Sequence, residues 1–77
     1  MFELFHAISD AQSARVRKYI VDHDLVAQIK FRNVAYDEPK KDLSDRGGKA
    51  APALWDGHVL ISGADAIIAK LSTVHST

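Results

Sequence analysis

The chain of 77 residues contains no cysteine. This absence excludes a disulfide scaffold, a thiolate zinc site, an iron–sulfur cluster and any thiol chemistry by the chain itself. An excess of charge of one sign is also missing, because 10 basic residues balance 10 acidic ones. A net charge of zero argues against nucleic-acid binding, which needs a basic excess.

Long apolar runs are absent as well. No stretch approaches the ~20 apolar residues that a transmembrane helix needs. The first residues include Glu3 and lack the basic and apolar regions of a signal peptide. We therefore expect a cytoplasmic protein without a membrane partner. Apolar residues make up 47% and charged residues 26%, which is typical of a globular chain, and residues 1–77 are predicted to form one domain.

The first third of the chain predicts a strand followed by a helix. Phe2–Phe5 is short, apolar and aromatic, as in a buried strand, and His6–Ile8 is predicted to be a loop. Ser9 and Gln12 have the spacing of a capping box. The helix is therefore expected to begin at Ser9 and to end near Asp24.

The middle of the chain predicts a second strand and a charged helix. Ile29–Asn33 alternates in polarity, with the apolar Ile29 and Phe31 on one face and Lys30 and Arg32 on the other. This predicts a half-buried strand near a sheet edge. Pro39 favours the first turn of a short helix, and Gly47-Gly48 favours its end.

The last third predicts a hairpin and a final helix. Asp56-Gly57 lies between Ala53–Trp55 and His58–Ile61, and Asp-Gly is preferred in two-residue type I′ hairpin turns. Ser62 and Asp65 then have capping-box spacing before an amphipathic helix. Its apolar residues recur at i, i+3, i+4 and i+7, namely Ala64, Ile67, Ile68 and Leu71. Residues 75–77 are expected to fray.

The predicted order is β-α-β-α-β-β-α. A helix joins the first two strands, so they should be parallel with a right-handed crossover. The last two strands should form an antiparallel hairpin. The sequence therefore predicts an α/β domain with a four-stranded mixed sheet packed against helices.

Three segments resemble the glutaredoxin version of the thioredoxin fold and the N-terminal domain of glutathione transferases. Redox-active members begin their first helix with Cys-x-x-Cys, where this chain has Asp10-Ala11-Gln12-Ser13. Ala51-Pro52-Ala53-Leu54 resembles the Val-Pro-x-Leu segment, whose proline is cis. Ser62-Gly63-Ala64-Asp65 is similar to the Gly-Gly-x-Asp turn before the last helix.

This resemblance implies a groove that binds an extended peptide or glutathione. In the family, the backbone N–H and C=O before the cis proline, here those of Ala51, pair with the ligand backbone. The backbone N–H groups at the start of the last helix hold a carboxylate. The ligand-binding residues expected from the resemblance are Ser9, Asp10, Ser13, Ala51, Pro52, Ala64 and Asp65. No cofactor is required, and glutathione is a candidate ligand.

Thiol–disulfide exchange is excluded, because Asp10 and Ser13 stand where the resemblance places the nucleophilic and resolving cysteines. The predicted function is therefore a non-redox binding module. One alternative is a glutathione-dependent transferase with Ser9 or Ser13 as the hydroxyl, although the transferase Glu-Ser pair is replaced by Gly63-Ala64. No residue is assigned a catalytic role beyond these two candidates.

A second alternative is a structural subunit, either a homodimer or one docked on a helical partner. The outward positions of the last helix are small and weakly polar: Ala66, Ala69, Ser72 and Thr73. Metal binding is not predicted, because His6, His23, His58 and His75 have no metal-ligand spacing. His6 is expected to be a surface loop residue, and His58 is expected in a strand.

Overall fold

A computed structural model describes residues 2–74 of the chain. The elements are β1 (Phe2–His6), α1 (Ala11–Asp22), a 3₁₀ turn (Val26–Gln28), β2 (Ile29–Asn33), α2 (Asp37–Asp45), β3 (Ala53–Trp55), β4 (Leu60–Ser62) and α3 (Ala64–Val74). The predicted order β-α-β-α-β-β-α is confirmed. The fraying expected at residues 75–77 lies outside the described residues.

The strands form one mixed sheet in the order β2-β1-β3-β4. β1 pairs with β2 in parallel, whereas β3 is antiparallel to both β1 and β4. The molecule is thus an α/β domain of the predicted class, and its topology is compatible with a thioredoxin-like fold. Among residues 2–74, no helix is both long and apolar enough to cross a membrane.

The sheet separates two clusters of buried side chains. Leu4, on β1, belongs to the larger cluster, which α1 and α3 cover. Its neighbour Phe5 belongs to the smaller cluster on the opposite face, together with Leu43 of α2 and Ala53 of β3. Successive strand residues point to opposite faces, so β1 supplies both clusters. The larger cluster consists of Leu4, Val16, Ile20, Leu25, Ile29, Leu54, Ala64, Ile67 and Leu71.

Charged side chains extend the smaller cluster. Arg32 of β2 is 9% exposed, and its guanidinium contacts Glu3 of β1 and, at 2.7 Å, Asp42 of α2. Arg46 contacts the second Glu3 oxygen at 2.9 Å. The predicted burial of β2 is therefore wrong at two positions, since Phe31 is 37% exposed and Arg32 is buried. Two carboxylates neutralise Arg32 beneath α2, and this compensates for its burial.

The start of α1 differs from the prediction. Asp10, not Ser9, is the N-cap, and its carboxylate accepts a hydrogen bond of 2.8 Å from the Ser13 backbone N–H. The helix consequently begins at Ala11, and Ser9 lies in an exposed turn. Asp and Ser are both good N-caps, so the sequence offered two neighbouring candidates.

The hairpin is confirmed, but its loop is longer than predicted. Trp55 pairs with Leu60, so four residues, 56–59, connect β3 to β4. The Asp56 carboxylate accepts hydrogen bonds from the backbone N–H groups of His58 and Val59, both at 2.8 Å. Asp56 therefore orders the loop with its side chain, and His58 lies in the loop, not in a strand.

Gly48 lies where α2 returns towards the sheet. An added Cβ there would be 2.2 Å from Leu43 Cδ1 and 2.8 Å from Leu60 Cδ2. The position requires glycine because the backbone itself packs on these side chains. The sequence prediction of a helix end at Gly47-Gly48 is confirmed, since α2 ends at Asp45.

Candidate functional site

A groove of about 550 Å³ opens where three chain segments meet. These are the start of α1, the loop that connects α2 to β3, and the turn that connects β4 to α3. The groove is lined by Asp10, Gln12, Gly47, Lys49, Ala50, Ala51, Pro52, Ser62, Gly63 and Ala64. Its walls therefore come from segments that are far apart in sequence and are brought together by the order of the strands.

The predicted site residues divide into two groups. Four of them line the groove: Asp10, Ala51, Pro52 and Ala64. Three others, Ser9, Ser13 and Asp65, do not line it. The structure thus brings together the backbone positions of the predicted site, and it places the candidate hydroxyls elsewhere.

Ser13 is fully buried, and its hydroxyl is occupied. Its Oγ accepts a hydrogen bond of 3.1 Å from the Ala7 backbone N–H. Hydrogen bonds from Ser13 to the Asp10 carboxylate lower the pKa of Asp10. The bond from the backbone N–H of Ser13 contributes most, and the bond from its hydroxyl contributes less. Ser13 therefore joins the β1–α1 loop to the start of α1. Its hydroxyl does not line the groove.

The loop before β3 lines the groove. The Ala51–Pro52 peptide bond is cis, as the resemblance implies, and Pro52 is buried. The Pro52 carbonyl accepts a hydrogen bond of 3.2 Å from the Gly63 N–H, which joins this loop to the start of α3. Within residues 2–74, the N–H and C=O of Ala51 make no backbone hydrogen bond. Neither group is therefore paired with the backbone of another described residue.

Asp65 does not play the capping role predicted from its spacing with Ser62. Its carboxylate is 90% exposed and forms an ion pair of 2.7 Å with Arg15 of α1. Gly63, at a φ of +92°, is the residue before the helix, and its carbonyl accepts from the Ile67 N–H at 3.0 Å. A glycine therefore makes the turn into α3, and Asp65 is free to face α1.

Lys49 supplies the groove with positive charge. Its side chain is exposed and makes no ion pair within the described residues. Asp10 lies on the helix side of the same groove, where Ser13 holds its carboxylate ionised. The groove thus combines one free cation, one fixed anion and unpaired backbone groups. Sequence reasoning missed Lys49 as a residue of the groove.

Arg17 and His6 are the other residues whose role was missed. His6 is 6% exposed at the end of β1, not a surface loop residue. The Arg17 guanidinium donates to the Ala7 carbonyl at 3.1 Å and to the Ile8 carbonyl at 3.3 Å. Arg17 therefore fixes the loop that precedes the groove. No periodicity marks it, since two of its partners are backbone carbonyl groups.

A second concavity, of about 460 Å³, lies between the end of β2 and the start of α2. Its walls include His6, Phe31 and the exposed Tyr36. In the described part of the chain, no group of three His, Asp or Glu side chains is placed to hold a metal ion. Comparison with protein-family models and with curated proteins finds no match.

Proposed function

We propose that this protein is a non-redox, glutaredoxin-like binding module that holds an extended peptide segment in the groove at Ala51. The observation that carries the proposal is the pair of unpaired backbone groups on Ala51, beside a groove of about 550 Å³. An extended backbone binds such groups in the manner of an added strand. Glutathione is the smallest ligand of this kind, and cytoplasmic location stays a prediction.

The charges of the groove support a ligand with both a carboxylate and backbone amides. Lys49 offers an ammonium group to a carboxylate, and the ionised Asp10 offers an acceptor to an amine. A short peptide with free termini carries both groups. The thiol of glutathione has no partner in this proposal, so blocking it should leave the affinity unchanged.

The transferase alternative finds less support than the binding module. It needs a hydroxyl beside the ligand sulfur, but the Ser13 hydroxyl is buried between Ala7 and Asp10. Ser9 lies outside the lining of the groove. An ionised Asp10 in that lining also repels a thiolate.

The test is an amide chemical-shift titration with reduced glutathione and with S-methylglutathione, to millimolar concentrations. We expect saturable shifts at residues 47–52 and 62–64, with the same affinity for both ligands. The variant Ala50→Trp places a large side chain at an exposed position in the groove and should abolish the shifts. The matched control is Ala27→Trp, at an exposed position in the 3₁₀ turn outside the groove lining.

The results that would contradict the proposal distinguish the alternative functions from one another. Flat spectra with both ligands would contradict binding of this peptide class. A much weaker affinity for S-methylglutathione would instead favour the transferase alternative. Flat spectra with a mass that rises with protein concentration would favour docking through α3. On that helix the Ser72 and Thr73 hydroxyls bond to carbonyls of their own helix, both at 2.7 Å.

A further inference from the structure

His6, at the end of β1, is in contact with the residue that fixes the β1–α1 loop. Its Nδ1 lies 3.1 Å from Arg17 Nη1. A guanidinium only donates, so Nδ1 must accept, and the neutral ring then carries its proton on Nε2. The same Arg17 nitrogen donates to the Ala7 carbonyl. Neutral His6 is therefore part of the contact that holds Arg17 on this loop.

The groups around His6 oppose its protonation. From α1 it faces Arg17, and from β2 the Phe31 ring in a T-shaped arrangement, with centroids 5.6 Å apart. Lys30 and Arg32 of β2 and Glu38 of α2 line the concavity that His6 also lines. Glu38 is 87% exposed and lies 3.9 Å from Arg32, so it is directed to another cation.

Two physical causes lower the pKa of His6 below its ordinary value of 6.5. Burial is the larger, and the adjacent Arg17 charge is the second. Protonation would place an N–H on Nδ1 against a guanidinium N–H. The two cations would then repel each other.

The loop held by Arg17 leads directly into the groove. The Ala7 carbonyl accepts from the Asp10 N–H at 3.2 Å, and the Ala7 N–H donates to Ser13. Asp10 itself lines the groove, and the Arg17 charge contributes to lowering its pKa. A displacement of Arg17 would therefore release the loop that positions Asp10.

We propose that His6 and Arg17 form a pH-sensitive latch, in which protonation of His6 expels Arg17 from the β1–α1 loop and weakens peptide binding in the groove. The effect on binding rests on the proposed function, whereas the release of the loop does not. Between pH 7 and pH 5 histidine is the side chain type whose ordinary pKa lies in range. The latch is closed above this range and opens as the pH falls through the pKa of His6.

The test follows the His6 ring and the loop amides together by NMR between pH 7.5 and pH 4.5, without ligand. We expect the amides of residues 7–10 to shift with the midpoint of His6. Their hydrogen exchange, corrected for its intrinsic pH dependence, should become roughly tenfold faster or more in the open form, since charge-assisted hydrogen bonds are lost. His6→Gln keeps an acceptor for Arg17 but cannot titrate, so the response should vanish.

The control variant is His58→Gln, which removes an exposed loop histidine and should leave the response intact. Arg17→Gln keeps His6 and should raise its pKa, with fast loop exchange at every pH. This second variant keeps the test decisive if His6→Gln does not fold. Loop amides that ignore the His6 midpoint, or an unchanged His6 pKa in Arg17→Gln, would overturn the latch.

The binding part is measured with reduced glutathione at pH 7 and at a pH below the His6 midpoint. Weaker binding at the lower pH in the wild type, but not in His6→Gln, is the expected result. Equal loss in both proteins would overturn the coupling to the groove. If the loop responds to pH and glutathione binds at neither pH, the latch stands and the proposed function fails.

Discussion

The two faces of the sheet bury their side chains by different means. The face beneath α1 and α3 is filled by aliphatic residues, of which Leu4, Leu54 and Ile67 are fully buried. The face beneath α2 has a small apolar cluster around Phe5, completed by charged groups. A sheet with few apolar residues can therefore bury its second face with the help of ion pairs.

Two aromatic rings and one carboxylate hold the charged groups of the α2 face in place. Arg32 and Arg46 both lie 5.5 Å from the centre of the Phe5 ring, and Arg46 lies 4.9 Å from that of Trp55. Cations over aromatic faces are attracted by the ring quadrupole. Glu3 bridges the two arginines with its two oxygens. Ion pairs of this kind are sensitive to the loss of a single member, whereas apolar packing is sensitive to lost volume.

Truncation of the apolar face should have the largest effect. We expect Leu54→Ala to lower the free energy of unfolding by about 2–5 kcal/mol, because the fully buried side chain leaves a cavity. Urea denaturation followed by circular dichroism measures this. The control Val21→Ala, at a position 63% exposed, should stay within about 0.5 kcal/mol. Equal costs for the two variants would contradict the assignment of this core.

Overpacking of the α2 face should come next. Gly48→Ala introduces a Cβ that meets Leu43 and Leu60, and we expect a loss of about 1–3 kcal/mol. The same urea titration measures it. The control is Lys49→Ala at the exposed neighbouring position, which should change stability little. A neutral Gly48→Ala would show that the α2 face is loosely packed.

Removal of one charge from the α2 face should have a smaller effect. Glu3→Gln weakens two arginine contacts, and we expect a loss of about 1–2 kcal/mol, because the side chain retains some exposure to water. The control is Glu38→Gln, at a side chain 87% exposed. If the two variants cost the same, the ion pairs of Glu3 contribute nothing beyond a surface carboxylate.

The pH dependence should give the smallest and most specific difference between the faces. Burial raises the pKa of Glu3, but hydrogen bonds from Arg32 and Arg46 outweigh it, so the net pKa lies below the ordinary 4.5. The stabilisation that the ionised Glu3 carboxylate contributes is therefore complete above pH 4.5. It is lost as the pH falls through the lowered pKa of Glu3. Glu3→Gln should flatten this loss in acid denaturation. If Glu3→Gln loses as much stability in acid as the wild type does, Glu3 is not the source of that loss.

The sequence predicted the architecture well because apolar periodicity is local. The buried positions of α3, including Ile67 and Leu71, follow directly from their spacing. The burial of Arg32 could not be predicted in this way, because it depends on carboxylates from two other elements. The length of the hairpin loop was missed because the Asp56 side chain, and not a type I′ backbone, orders the turn.

The candidate site was predictable at Asp10 and at its backbone positions, but not in its hydroxyl groups. Ala51 and Pro52 were expected at the groove from the resemblance, and they line it. Ser13 was expected there as a hydroxyl, but its position on the inner face of α1 buries it. Arg17 was missed, since a side chain that binds carbonyl groups leaves no pattern in the sequence.

The inward-pointing Arg32 also bears on how copies of this chain meet. β2 is an edge strand of five residues, so it could add a strand of another copy. A net charge of zero gives no long-range repulsion to keep the copies apart. Inward-pointing charge and edge lysine are devices that disfavour such pairing, and β2 carries both, in Arg32 and the exposed Lys30. The buried Arg32 thus completes the packing of one face of the sheet and also disfavours strand addition at the β2 edge.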